Sequence, residues 1–89
     1  MNAIEVRIEA CRDRLEARCR EADLFVSGDL RVSETHAAQL LGIAPGSLKA
    51  MRQEGKGPIV YRIPINGCRL SYRLDELASW IERGREDFQ

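Results

Sequence analysis

The sequence predicts a small, mostly α-helical domain with one β-hairpin. Three observations support this class. Apolar residues recur at helical spacing through most of the chain, a glycine–proline stretch (GKGP, 55–58) interrupts that pattern, and Asn66-Gly67 separates two β-prone runs. The chain has 89 residues, which suffices for one domain, and 44% of them are hydrophobic, as is typical of a folded protein.

Residues 1–29 predict a long amphipathic helix followed by a linker. Ile4, Ile8, Cys11 and Leu15 recur at spacings of three and four residues, which aligns them on one helix face between Glu and Arg residues. Such a stripe either packs on the rest of the domain or pairs with a second copy. We favour self-association, as a homodimer or cooperative oligomer, because the segment that follows contains a complete set of elements.

The pattern of residues 30–84 predicts these elements in the order helix, turn, helix, hairpin, helix. Ser33 is a good N-cap for a helix over 34–41, and Gly42 a good residue to end it. Pro45 suits the first position of the next helix, where its missing N–H costs nothing. The runs 59–63 and 68–72 then predict the two strands of the hairpin.

The last helix is predicted from about residue 75. Leu74, Leu77, Trp80 and Ile81 form its apolar face, so we expect Trp80 in the core. Residues 85–89 are expected to fray as a tail.

Two short helices joined by a tight turn are typical of a helix-turn-helix, and a hairpin directly after them is typical of a wing. Basic residues lie on both elements. Lys49 and Arg52 are three apart on the second helix, Arg62 and Arg69 lie on the hairpin strands, and Asn66 lies at the hairpin tip. The sequence therefore predicts a mostly α-helical winged helix-turn-helix preceded by a long N-terminal helix.

The formal net charge is zero, but the charges are segregated along the chain. Residues 1–29 hold five basic and seven acidic residues, residues 30–74 hold seven and two, and residues 75–89 hold two and five. A basic middle segment favours an anionic partner, with nucleic acid as the first candidate. The alternative is an ordinary solvated surface on which charges cluster.

Composition also excludes several classes. No apolar run approaches the ~18 residues of a membrane span, and the charged N-terminus is unlike a signal peptide, so we expect a cytoplasmic protein. Cys11, Cys19 and Cys68 contain no C-x-x-C pair, and His36 is the one histidine, so we expect free thiols and no metal site. No nucleophile or acid–base pair stands out, and we expect neither a cofactor nor enzymatic activity.

Residues 30–83, about three-fifths of the chain, resemble the winged helix-turn-helix domain of excisionase and AlpA-type small phage and plasmid regulators, which is similar to the MerR-like DNA-binding domain. The matching stretches are VSET at 32–35, AAQLLGI at 37–43, PGSL at 45–48, GKGP at 55–58, Tyr72, LDEL at 74–77 and WI at 80–81. No single stretch is specific to the family, and the resemblance rests on all of them occurring in this order.

The resemblance implies a sequence-specific protein for double-stranded DNA, acting as a transcriptional regulator or as an excisionase-like recombination directionality factor. Its second helix would enter the major groove and its wing would meet the minor groove or backbone. The DNA-contacting residues would then be Ser47, Lys49, Arg52, Lys56, Arg62, Asn66 and Arg69. The alternative function is a protein-interaction module on the same scaffold, using the N-terminal helix.

The chain departs from the family pattern on the second helix. Gly46 and Ala50 occupy positions that often carry long basic or polar side chains, Ala44 replaces the usual Ser or Thr cap, and Met51 replaces a common aromatic residue. The helix therefore offers only two cations. We expect modest binding by one monomer and a correspondingly greater role for the wing and for oligomerisation.

Overall fold

The computed structural model describes residues 2–86, which fold into helices and a two-stranded antiparallel sheet. The elements in chain order are α1 (Ala3–Glu21), β1 (Arg31–Ser33), α2 (Glu34–Leu41), α3 (Pro45–Gln53), β2 (Ser71–Arg73) and α4 (Leu74–Arg83). The mostly helical class and the long N-terminal helix are confirmed. Residues 87–89 of the expected tail lie outside the described part of the chain. Within residues 2–86, none of the helices combines the length and apolar character that a membrane crossing requires.

The first helix packs along the last one. Cys11, Leu15 and Cys19 of α1 are buried, and they belong to the same core cluster as Leu77 and Ala78 of α4. The apolar stripe of α1 is therefore covered by its own chain, which is the first of the two alternatives left open by the sequence. Self-association remains a prediction. The domain boundary between residues 29 and 30 also remains a prediction, and the core contains residues from both sides of it.

The turn between α2 and α3 follows the predicted capping chemistry. The Ser33 hydroxyl accepts a hydrogen bond from the backbone N–H of His36 at 3.2 Å. Gly42 is left-handed with φ of 77°, and Ile43 N–H donates to the Ala38 carbonyl at 3.0 Å, which satisfies an orphan carbonyl at the end of α2. Pro45 begins α3. The predicted boundaries of these two helices are thus confirmed to within two residues.

The predicted hairpin forms at its tip but not along its strands. Ile65 and Cys68 exchange backbone hydrogen bonds of 2.9 and 2.8 Å, and the two residues between them, Asn66 and Gly67, have φ of 44° and 84°. Two successive left-handed residues are the signature of a type I′ turn, as Asn-Gly predicts.

Continuous strands over 59–63 and 68–72 were expected, and this expectation was wrong. Only the isolated bridges Tyr61↔Ser71 and Ile65↔Cys68 connect the two runs. Three residues separate the bridges on one side and two on the other, and the longer side includes Pro64, which has no N–H to donate. The regular partner of β2 is instead β1, with Val32 opposite Tyr72.

Trp80 is the second correction. It was expected in the core, but 39% of the residue is exposed, whereas Leu74 and Leu77 are completely buried. The core side of α4 is occupied by α1 and β2, so Trp80 lies at its margin, where it lines a cavity with Pro58 and Ile59.

Candidate nucleic-acid interface

Glu34, the first residue of α2, lies at the centre of a polar network that joins α2, α3 and β2. The Tyr72 hydroxyl donates to Glu34 Oε2 at 2.7 Å. Arg52 donates from Nε to Oε2 at 2.7 Å and from Nη2 to Oε1 at 3.3 Å. Tyr72 is completely buried, whereas 19% of the Arg52 side chain and 21% of the Glu34 side chain are exposed. Arg52, predicted as a DNA contact, therefore has an internal partner.

The network keeps its charges. The hydrogen bond from Arg52 holds the pKa of Glu34 below its usual value, and the Tyr72 hydroxyl and the charge of Lys49 act in the same direction. The same contact raises the pKa of Arg52. Burial, together with the hydrogen bond to Glu34, raises the pKa of Tyr72, which keeps the phenol neutral and donating. Glu34 and Arg52 thus form an ion pair anchored on a buried hydroxyl.

The outer side of α3 presents Ser47 and Lys49. Both are exposed, whereas Leu48 between them is buried in the core. The structure gives Lys49 no ion pair among the described residues. Of the two cations predicted on this helix, Lys49 is therefore displayed and Arg52 is engaged.

The hairpin tip lies against the N-terminal end of α2. Asn66 and Cys68 line a cavity of about 180 Å³ together with Thr35 and His36. Arg69 lines a second cavity, of about 260 Å³, with Glu34 and Thr35. The fold therefore brings Arg69 close to the Glu34–Arg52 pair, although 17 residues of sequence separate the two arginines.

Arg62, Asn66 and Arg69 are exposed, and neither arginine forms an ion pair within residues 2–86. Lys56 is also exposed, with its Nζ 3.9 Å from a carboxylate oxygen of Glu54. Lys56, Arg62, Asn66 and Arg69 are thus all exposed. Shared cavities place Asn66 and Arg69 beside the start of α2.

Two further cations of the basic middle segment are used inside the fold. Arg31 Nε lies 2.9 Å from both carboxylate oxygens of Asp29, and its Nη1 donates to the buried Ser71 hydroxyl at 2.9 Å. Arg73 Nε lies 3.5 Å from Asp75. The Arg31 contact, with help from the Ser27 hydroxyl, lowers the pKa of Asp29 to about 2. Among the described residues, the segment keeps three cations without an acidic partner: Lys49, Arg62 and Arg69.

Sequence reasoning missed Glu34 and Tyr72 as members of the site. Glu34 lies 18 residues from Arg52 and 38 from Tyr72, so no local spacing relates them. The Asp29–Arg31 pair, in contrast, carries a signal in its spacing of two residues.

The thiols are free, as expected from their spacing. Cys11 and Cys19 are buried, which raises the pKa of both thiols, and Cys68 is exposed at the wing. Within the described residues, no three His, Cys, Asp or Glu side chains converge on a point that would hold a metal ion.

No protein family model, curated protein or solved structure matches the chain significantly.

Proposed function

We propose that the chain is a sequence-specific DNA-binding protein with a winged helix-turn-helix domain. Its role would be that of a small transcriptional regulator or an excisionase-like recombination directionality factor. One observation carries the proposal: Lys49 on α3 and Arg62 and Arg69 on the wing are exposed cations without an acidic partner in the described chain. The order of α2, glycine turn, α3 and hairpin tip is that expected for the fold.

Binding would be non-covalent and partly electrostatic. The start of α3, with Ser47 and Lys49, would lie in the major groove, where side chains near the N-terminus of such a helix contact base edges. Arg62 and Arg69 would contact phosphates on the adjacent backbone, and each neutralised phosphate releases condensed counterions. With three displayed cations, we expect the logarithm of affinity to fall with the logarithm of salt with a slope of about −3.

A protein-interaction module that uses the N-terminal helix is the second candidate. It has less support, because the buried residues of α1 already pack on α4. The two candidates make opposite predictions for DNA, so one experiment separates them.

The test is selection from a randomised duplex pool at low salt, with sequencing of the retained fraction. An enriched motif supports the proposal, and its symmetry and spacing report the number of protein copies bound. Retention of DNA without an enriched motif would indicate that the protein recognises the DNA backbone or its shape and not its sequence. No retention overturns the proposal and favours the protein-interaction module.

A further inference from the structure

The Arg52 guanidinium has one edge engaged and one edge free. Nε and Nη2 contact Glu34, which uses two of the five N–H groups of the side chain. The Tyr72 hydroxyl lies near the same guanidinium and helps to hold its charge. Nη1 has no hydrogen bond to another described side chain or backbone group and is not fully buried, and 19% of the Arg52 side chain is exposed. The edge formed by Nη1 and the second N–H of Nη2 has the parallel geometry that matches a pair of acceptors.

We propose that Glu34 and Tyr72 hold Arg52 in the orientation in which this free edge reads one guanine of the target duplex. Arginine recognises guanine through two hydrogen bonds, to O6 and N7. Glu34 and Tyr72 would be positioning residues, because they act on the base through Arg52. This inference rests on the proposed DNA-binding function and adds the residue that sets specificity at one base pair.

The anchoring is what distinguishes Arg52 from the other cations. An unrestrained arginine has many rotamers and loses that freedom on binding, which weakens the contact. Here two hydrogen bonds to Glu34 already restrain Arg52 in the free protein, and Glu34 is itself hydrogen bonded to the hydroxyl of a completely buried tyrosine. Lys49 and Arg69 have no such support in the described structure, and we assign them to affinity.

The location of Glu34 also gives a signature. A carboxylate close to the DNA face repels phosphates, so it lowers affinity for every duplex alike. The presence of Glu34 close to Lys49 and Arg69 is explained if it contributes selectivity through Arg52. Removing its charge then has two opposite effects: weaker discrimination at one base pair and stronger binding to unrelated DNA.

The experiment measures Kd for the full chain with the duplex recovered from pool selection, with duplexes substituted at each base pair in turn, and with an unrelated duplex. The variants are Arg52→Met, Glu34→Gln and Tyr72→Phe. Glu82→Gln is the control, because Glu82 is a carboxylate of similar burial that lies 3.4 Å from Arg7 in the ion pair between α1 and α4. Thermal unfolding of each variant is recorded first.

We expect Arg52→Met to reduce discrimination at one base pair by about ten- to a hundred-fold and to leave the other positions unchanged. Glu34→Gln reduces discrimination at the same position and tightens binding to the unrelated duplex. Tyr72→Phe reduces discrimination there by a smaller factor and serves as the positioning test if Glu34→Gln does not fold. Glu82→Gln leaves the base profile of the wild type unchanged.

Three results would overturn the inference. Equal losses on all duplexes, in step with lost thermal stability, would make the network purely structural. A profile altered by Arg52→Met but by neither Glu34→Gln nor Tyr72→Phe would remove the positioning role. A wild-type protein that selects no motif would refute the proposed function itself, which is a distinct outcome because it precedes any variant.

Discussion

The α1–α4 pair and the surface of α3 and the hairpin use charged residues in opposite ways. Between α1 and α4, Arg7 and Glu82 lie 3.4 Å apart beside the buried face of Cys11, Leu15 and Leu77. On α3 and the wing, Lys49 and Arg69 are exposed and have no acidic partner among the described residues. The first region uses charge around an apolar contact, and the second displays it.

The comparison shows why a net charge of zero says little about this surface. The basic middle segment holds seven cations, but Arg31, Arg52 and Arg73 form ion pairs with acids of the same chain, and Lys56 lies near Glu54. Lys49, Arg62 and Arg69 are the cations of this segment that have no acidic partner among the described residues. Summing charge along the sequence therefore does not show how many cations of this segment lack an acidic partner.

The largest effect is expected at the contact between α1 and α4, where residues of α1 form part of the core. Leu15→Ala removes a side chain that is 8% exposed, and we expect the free energy of unfolding to fall by about 2–5 kcal/mol. Val6→Ala on the same helix is the control, because Val6 is 53% exposed and should cost less than about 0.5 kcal/mol. Urea denaturation followed by circular dichroism measures both. Equal small losses would show that α1 does not stabilise the domain.

The displayed cations are tested by the salt dependence of DNA binding. Arg69→Ala is expected to weaken binding to all duplexes and to reduce the salt slope by about 1, because one phosphate contact is lost. Arg14→Ala removes the same charge from an exposed position on α1 and is expected to leave the slope unchanged. Fluorescence anisotropy titrations at several salt concentrations decide the matter. A similar change in both variants would indicate a general charge effect without a defined DNA face.

The ion pair between Asp29 and Arg31 is expected to make the stability of the fold depend on pH in the acid range. The pKa of Asp29 is lowered to about 2 by Arg31, so the Asp29 carboxylate stabilises the fold fully above its ordinary value of about 4. That contribution is lost as pH falls through about 2. The melting temperature of Asp29→Asn is therefore expected to lie below that of the wild type at pH 7. The gap is expected to close between about pH 4 and pH 2 in thermal melts, and a constant gap would contradict the assignment.

The smallest effect concerns the turn after α1. Asp23 has φ of 56°, a left-handed conformation that costs an L-residue about 1–2 kcal/mol, while glycine adds about 0.5–1 kcal/mol of unfolded-state entropy. We expect Asp23→Gly to stabilise the protein by about 0.5–1 kcal/mol, as the difference of these terms. The control, Ala10→Gly within α1, is expected to destabilise it by about 1 kcal/mol. Denaturant titration gives both, and destabilisation by both variants would mean that Asp23 makes a compensating contact.

The sequence was most informative where structure depends on neighbours in the chain. Ser33 caps α2, Gly42 ends it, and Asn66-Gly67 forms the hairpin tip, as predicted. Each of these depends on a backbone preference or a hydrogen bond that spans five residues or fewer. Ser47, Lys49 and Arg69, which were predicted as DNA contacts, are exposed.

The sequence was least informative where two distant segments compete for the same partner. Ser71 and Tyr72, at the end of the β-prone run 68–72, pair with β1, about 40 residues earlier in the chain. The nearer run at 59–63 contributes only the isolated bridge between Tyr61 and Ser71. Likewise, Trp80 has the correct spacing for the core, but α1 and β2 cover a side of α4 that leaves it partly exposed. Periodicity identifies the apolar face of a helix but does not specify how deeply each residue on that face is buried.

The sequence alone thus determined the helices, the tight turns and the segment from which cations face solvent, because these follow from local preference and composition. Only the tertiary structure decided which of those cations are available. Arg52 and Lys49 lie three residues apart on one helix and look equivalent in the sequence. Packing places Glu34 and the buried hydroxyl of Tyr72 beside Arg52, and no acid pairs with Lys49 within the described residues. The physical reason is that the attraction between two charges weakens as the distance between them grows. That distance is set by the fold and not by separation along the chain.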